Sequence, residues 1–517
     1  MKSRSRISVL CVILVLACLG SITINASAQD YQQLWAPDGK TDDGFGIIVS
    51  GWEDVVVLGA WYHDAVQGAA YVYRKSGNQW VLETKLQASD KQPNDRMGSS
   101  VSIHGDVIIS GAALEDHDGL VDAGAAYVYR WDGTQWQEEA KLTASDGIDG
   151  QYFGWSVAAV QDFVAVGAPA KDPLDVCSVY VFRKVAGTWV EEAKLVSSDG
   201  AAGNGLGFGV FAFDNRVFGG ALHDSGKGAL FVFRYEGGVW TEEAKLVASD
   251  GASGDELGNI VSANGDRVAV GARHHHHTGA CYTFRRSGTT WVEEDMVEPS
   301  DSSAWDWYGH GVSVRGDRLA VGSLFNDGSG STYLYSWNGS EWTGEVKLHD
   351  PSLPWHSRFG HSVALQDEYF VVGAPQCGGN PGINIGPGTA YVYDESYNWS
   401  WINYGAGWPG THGIPRLMAD TSLPPELTLF LGNSRRLSTI ACLFYGLTRT
   451  QTTTPLGGEL LLIPSSMVIM WSLPPAGLTI STSITTAMPD NVYLQALEFD
   501  PGASRGVSFT PGMKLTF

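Results

Sequence analysis

One unit recurs seven times along this chain, and its two landmarks never lose step. A Phe/Leu/Met/Tyr-Gly pair falls at Phe45-Gly46, Met97-Gly98, Phe153-Gly154, Leu206-Gly207, Leu257-Gly258, Tyr308-Gly309 and Phe359-Gly360. A second glycine follows at Gly59, Gly111, Gly167, Gly220, Gly271, Gly322 and Gly373, with the same spacings of 52, 56, 53, 51, 51 and 51. A period of this length marks a supersecondary unit that buries its apolar face only against its neighbours. In the third copy the runs "GWSVAAV", "FVAVGAP", "SVYVFR" and "TWVEEAKL" alternate, are rich in β-branched and aromatic residues, and end at Gly/Asp turns. Those are strand signals.

Four antiparallel strands in about fifty residues make a β-propeller blade, and such rings hold about four to eight blades. The expectation is therefore an all-β chain with a seven-bladed β-propeller of four-stranded blades over 29–404. After it the period stops. "GAGWPGTHGIP" (405–415) reads as a linker, and the short apolar runs of 416–517, such as "LTLFLG" and "VYLQALEFD", read as a small C-terminal β-sandwich.

Ring closure leaves its own trace. "QLWAPDGKTDDGFG" (33–46) aligns without gaps to "KLTASDGIDGQYFG" (141–154), so the repeat region begins with the end of a fourth strand. The seventh copy has "WSWINY" but no "KL" ending. Residues 31–36 are thus expected to pair into the last blade.

The first residues carry an address. "MKSRSR" is a cationic start, Ile7 to Ile24 an apolar core, and Ala26-Ser27-Ala28 a small-residue cleavage site, so 1–28 reads as a signal peptide cut after Ala28. Cys18 raises lipidation as an alternative, which Leu16 fits poorly. No later stretch is long and apolar enough to span a membrane. A net charge of −23 disfavours phosphate backbones and anionic lipid, so nucleic acid is set aside as a partner. Beyond the signal, Cys177, Cys281, Cys377 and Cys442 lie far apart, with neither zinc spacing nor the density of a disulfide scaffold.

The motifs "KLTASDG", "VAVGAP" and "GAAYVYR" resemble the FG-GAP repeat family, best known from the heads of integrin α chains, and are most similar to its bacterial variety. The resemblance covers about 370 residues. It implies an extracellular seven-bladed propeller acting in adhesion or recognition of a protein or glycan, and not an enzyme. Integrin-type repeats often carry a calcium loop between the two landmarks. Here that connection is only a tight turn, as in "SIHGDVIISGA", too short to supply six to eight oxygens. No cofactor is expected, with calcium left as the alternative although family-type calcium loops are absent. The nearest imitation of a calcium loop, Asp116, Asp118 and Asp122 in "EDHDGLVD", lies elsewhere and lacks its first aspartate.

Several repeated residues read as scaffold. Trp80, Trp136, Trp189, Trp240, Trp291 and Trp342 are expected between blades. Glu191 and Glu192 read as edge charges that discourage strand addition rather than as catalytic carboxylates. Asp38, Asp90, Asp146, Asp199, Asp250 and Asp301 read as caps of their own turns. Arg315-Gly316-Asp317 occupies a hairpin turn before it is an adhesive tripeptide.

Departures from the repeat point to a working face. The link between second and third strands varies from eleven to eighteen steps, and insertions in repeat proteins cluster on one face that often binds. On that face fall Trp305 and Trp307, Trp355 and His356, and the run His274–His277. Exposed tryptophans stack on sugars or anchor protein partners; the alternative is that they plug the mouth of the ring. For the histidines, an extended chain puts only alternate residues such as His274 and His276 on one side, a weak metal pair. The competing function is a secreted hydrolase or lyase acting on polysaccharides or esters in the propeller funnel, which needs titratable residues converging on the axis.

Overall fold

The computed structural model describes residues 31–200, 202–350, 353–376 and 386–394, and beyond them the strands between 400 and 516. The signal segment with Cys18, the 405–415 linker and Cys377 lie outside the described residues.

Seven four-stranded antiparallel sheets succeed one another, as the period requires. Blade 1 is Val49–Trp52, Val55–Ala60, Ala69–Ser76 and Gln79–Leu86; blade 2 is Ser100–His104, Val107–Ala112, Ala125–Trp131 and Trp136–Leu142. Blade 3 is Val157–Ala159, Phe163–Ala168, Ser178–Val185 and Thr188–Leu195; blade 4 is Leu206–Phe213, Arg216–Ala221, Ala229–Glu236 and Val239–Leu246. Blade 5 is Leu257–Asn264, Arg267–Ala272, Ala280–Ser287 and Thr290–Val297; blade 6 is Tyr308–Arg315, Arg318–Ser323, Ser331–Trp337 and Trp342–Leu348. Blade 7 has Val363–Leu365, Tyr369–Ala374 and Thr389–Asp394 from the end of the repeats, and its fourth strand is Tyr31–Leu34. Tyr31 pairs with Tyr393 and Leu34 with Ala390, so the ring closes by the strand exchange that the truncated first copy implies.

The landmarks keep register because they touch. A Cβ on Gly111 would stand 1.8 Å from the carbonyl oxygen of Gly154 in the next blade, a distance no side chain tolerates. The same contact repeats round the ring, ending with Gly373 of blade 7 against Gly46 of blade 1 at 2.0 Å. Gly154 in turn bonds its own blade through Gly167 and adopts φ +92°, where a Cβ is disfavoured. Behind these glycines, apolar side chains from facing blades fill each interface. Val55, Val57 and Val72 of blade 1, for example, pack with Ile103, Ile108 and Tyr127 of blade 2.

The repeated tryptophans do lie between blades, and their indoles are tied there. Trp136 donates to Glu83, Trp189 to Glu139, Trp240 to Glu192 and Trp291 to Glu243, each glutamate one blade back, at 2.8–2.9 Å. The glutamate one position earlier, as in Glu191, accepts from the backbone and hydroxyl of Ser145 in the link from the preceding blade. The "EE" pair is therefore an interblade clamp, and shielding the edge is at most its second task. The turn aspartates likewise reach across a seam rather than only capping their own turns. Asp90 accepts from the Tyr127 hydroxyl at 2.7 Å and from Lys141 at 2.6 Å. For Asp38, burial is outweighed by the hydrogen bonds from Lys85 and Tyr71, which hold its carboxyl down at about 2.

The second unit contains residues 396–517. Its strands form three antiparallel sheets, and Ser400–Tyr404, from the "WSWINY" stretch, pairs with Gly512–Thr516 rather than with blade 7.

Candidate functional site

Two kinds of loop meet at one end of the propeller. In every blade the loop after the second strand donates a backbone N–H to the segment that enters the first strand. Examples are His223 to Asn204 at 2.9 Å and Phe325 to Asp306 at 3.1 Å. The variable loops and the constant links thus share a face, and every candidate residue lies on it.

The entering segment follows one backbone plan. Three residues before the Phe, Met, Leu or Tyr of each landmark pair, φ is positive in all seven blades: Asp42, Asn94, Gly150, Gly203, Gly254, Trp305 at +74° and His356 at +67°. One residue before it, φ is positive again, at Gly44, Arg96, Tyr152, Gly205, Glu256, Trp307 and Arg358. The first of these twists is pinned by a bond into the preceding blade, from Trp305 N–H to His277 and from His356 N–H to Gly328, both 2.7 Å. Gly254 makes the same bond to Gly226. Glycine meets this demand without strain, whereas a left-handed bulky residue costs about 1–2 kcal/mol. Trp305 and His356 therefore sit where the scaffold asks for least.

Between the two left-handed positions stands a buried polar residue in every copy: Asp43, Asp95, Gln151, Asn204, Asp255, Asp306 and Ser357. Sequence reasoning passed over this ring, although "GDELG", "WDWYG" and "HSRFG" show the offset. Asp43 holds His63 at 2.7 Å, Asp255 holds His275 at 2.9 Å, and Asp306 accepts from Asn326 at 3.0 Å. These pairs fix the loops to the scaffold. Burial, with Glu115, Asp90 and Asp116 nearby, pushes the Asp95 carboxyl up to about 6.

The four aromatic candidates divide into two kinds. Trp307 is packed: His274 and Phe325 lie 5.4 and 5.1 Å from its ring, and Arg273 stands over it at 5.5 Å. His356 shares Phe325 with it, at 6.1 Å. Trp305 and Trp355 instead face solvent, 61% and 72% exposed, Trp305 beside His277 and Trp355 against Gly328. A plug would be buried, which does not describe the two exposed indoles, while Trp307 is half-buried. Deeper in, the residues following the inner glycines include Trp155, Phe208, His310 and His361. Trp155 packs edge-on to Phe208 at 5.3 Å, and His310 and His361 lie 4.5 Å apart. The two imidazoles bond the carbonyls of His361 and Ile47. Burial pushes His310 down to about 3, with Arg273 adding to the effect, and His361 is lowered well below its ordinary value. Both are neutral at pH 7.

The metal candidates are arranged differently from the extended-chain expectation. The chain turns at His276, φ +48°, so that His275 and His276 converge, with ring centroids 3.8 Å apart. His274 points instead to Trp307 and to Glu256 at 3.5 Å. The pairing of His274 with His276 fails because the segment is a tight turn, not a strand. Asp116 accepts from the Asp122 backbone at 2.8 Å, and Asp122 stands 3.7 Å from Lys171. Asp118 lies in the same loop with φ +53°. The turns between the landmarks, such as residues 265–266, hold two or three residues and do not fit a calcium cage. In the tripeptide turn, Arg315 is bound by Asp367 at 2.6 Å and Asp317 by Arg267 at 3.2 Å.

The profile of the FG-GAP repeat matches residues 29–73, 80–129, 136–182, 240–284 and 291–335. No curated protein matches the chain. Among solved structures, the crystal structure of a "putative 6-phosphogluconolactonase" from Bacteroides uniformis is similar at 12% identity and a TM-score of 0.43, over 65% of this chain and 95% of that one.

Proposed function

We propose, from the premise that this chain belongs to the FG-GAP repeat family, that it is an exported, non-enzymatic recognition or adhesion protein. In this reading it takes a protein or glycan ligand at the loop face around Trp305, Trp307, Trp355 and His356. One observation carries the reading: two indoles stand exposed on loops of adjacent blades, and Trp305 holds a strained backbone position that glycine fills in three other blades. An exposed indole is costly to keep and gains from stacking on a sugar face or seating an apolar side chain. The signal-like N-terminus fits an extracellular or cell-surface site of action, and no helix among the described residues is long and apolar enough to cross a membrane.

The non-enzymatic reading is supported by the chemistry of the deeper ring. Burial lowers the proton affinity of His310 and His361, which makes both weak bases at pH 7. The test is binding of the purified chain to a glycan array and to cell-surface extracts. Trp305→Ala with Trp307→Ala should remove binding; unaltered binding in that double variant rejects the site. Hydrolysis of a polysaccharide or ester that is lost on changing a funnel-lining acid would favour the funnel enzyme instead.

A further inference from the structure

Blade 5 lacks a cation that its relatives within the same chain possess. In blades 1, 2, 3, 4 and 6 the outer strand carries Lys85, Lys141, Lys194, Lys245 or Lys347. Each bonds the turn aspartate before its blade: Asp38, Asp90, Asp146, Asp199 and Asp301, at 2.6–2.9 Å. In blade 7 the position is Gln33, whose amide still reaches the Tyr391 hydroxyl at 3.3 Å. In blade 5 it is Met296, paired to Tyr282 in the same register that pairs Lys85 to Tyr71. A thioether cannot neutralise Asp250.

Blade 1 shows where the missing charge belongs. His63 is held through Nδ1 by Asp43 at 2.7 Å, and its Nε2 is 3.6 Å from Asp38. The Lys85 ammonium sits between the two, 2.6 Å from the imidazole and 2.9 Å from the carboxylate. Blade 5 reproduces this frame with His275. Asp255 holds Nδ1 at 2.9 Å, and Nε2 is 3.7 Å from Asp250. No lysine enters. Where blade 1 has Asp64 and Gln87, blade 5 has His276 and Glu298, and one ligand atom each from His275, His276 and Glu298 lie within 4.8 Å of one another.

We propose that His275, His276 and Glu298, with Asp250 beside the His275 imidazole, bind a divalent transition-metal cation of the zinc class, in the place that a lysine ammonium holds in blade 1. Two imidazoles with carboxylates suit zinc and its neighbours rather than calcium or magnesium. Asp255 accepts the Nδ1 proton of His275, which leaves Nε2 with its lone pair toward the site, the usual support of a metal-bound histidine. The ion would join the loop of blade 5 to the residue that follows its outer strand, beside the link after blade 4. It would restore the seam by coordination instead of by an ion pair. This inference stands apart from the recognition reading, since none of these residues is among the aromatic candidates.

The probe is zinc chloride added to the metal-stripped full chain, with bound metal counted and affinity measured by calorimetry. One zinc per chain is expected, with a rise in the thermal midpoint. His276→Ala and Glu298→Gln should each weaken binding about tenfold or more. Met296→Lys should abolish binding while leaving the chain folded, because the ammonium then fills the place itself. His274→Ala with His277→Ala should leave affinity unchanged. Absence of stoichiometric zinc overturns the proposal. So does zinc held equally well by the Met296→Lys and Glu298→Gln chains, which would mark adventitious binding to the histidine run.

Discussion

The seams between blades and the mouth above them use the same device, a tightly constrained backbone, to opposite ends. At the seam all seven copies keep glycine, because the next blade's carbonyl occupies the space a Cβ would need. At the mouth the left-handed position before the inner strand is just as constant in angle, yet it carries glycine, asparagine, aspartate, histidine or tryptophan. The seam forbids side chains, while the mouth only taxes them. Residues that persist under such a tax have a reason outside the scaffold, and Trp305 is the plainest example.

The contrast can be broken most sharply at the seam. Gly111→Ala drives a methyl into the Gly154 carbonyl and should cost about 4 kcal/mol or more in urea unfolding; a near-neutral result would mean the blades can part to admit it. An intermediate effect is expected from the buried polar ring that joins the two regions. Asp95 titrates at about 6 in the folded chain against 3.8 ordinarily, so the folded state binds that proton more tightly. Its contribution is full below pH about 4 and is lost as pH rises through about 6. Asp95→Asn should therefore be more stable than the parent by about 2 kcal/mol at pH 7, with the advantage gone at pH 3.5. Parallel stability curves from pH 3.5 to 7 would remove this account. The smallest effect belongs to the mouth. Trp305→Gly relieves the strained angle but frees the unfolded chain, so stability should stay within about 1 kcal/mol of the parent. A large loss would show that Trp305 serves the fold after all.

The blade count and the closing strand were legible because the repeated residues are the contact points themselves. Gly59 and Gly98, or Gly373 and Gly46, recur in step since each is one half of a touching pair. The clamp between Trp189 and Glu139 was only half legible: the tryptophan announced itself by repetition, but its partner lies one period earlier and looked like solvated charge. The convergence of His275 with His276 was hidden, because local alternation says nothing of a residue at φ +48°. Met296 was visible all along as a break in the "KL" pattern. Its meaning lies in the three-dimensional place of Lys85 between Asp38 and His63, which no linear spacing shows.

Tyr31–Leu34 completes a sheet whose other three strands are the last of the ring to be made. Leu34 accepts from Thr389 across 355 positions, one of the longest-range bonds in the circle. On the ribosome, or emerging from a translocation pore, the opening strand must therefore wait unpaired while six blades assemble behind it. Closing the circle joins segments at the two ends of the repeat array, a contact of high loop-closure cost, and until it forms, Thr389–Asp394 of blade 7 presents a raw edge to any chaperone or neighbour nearby.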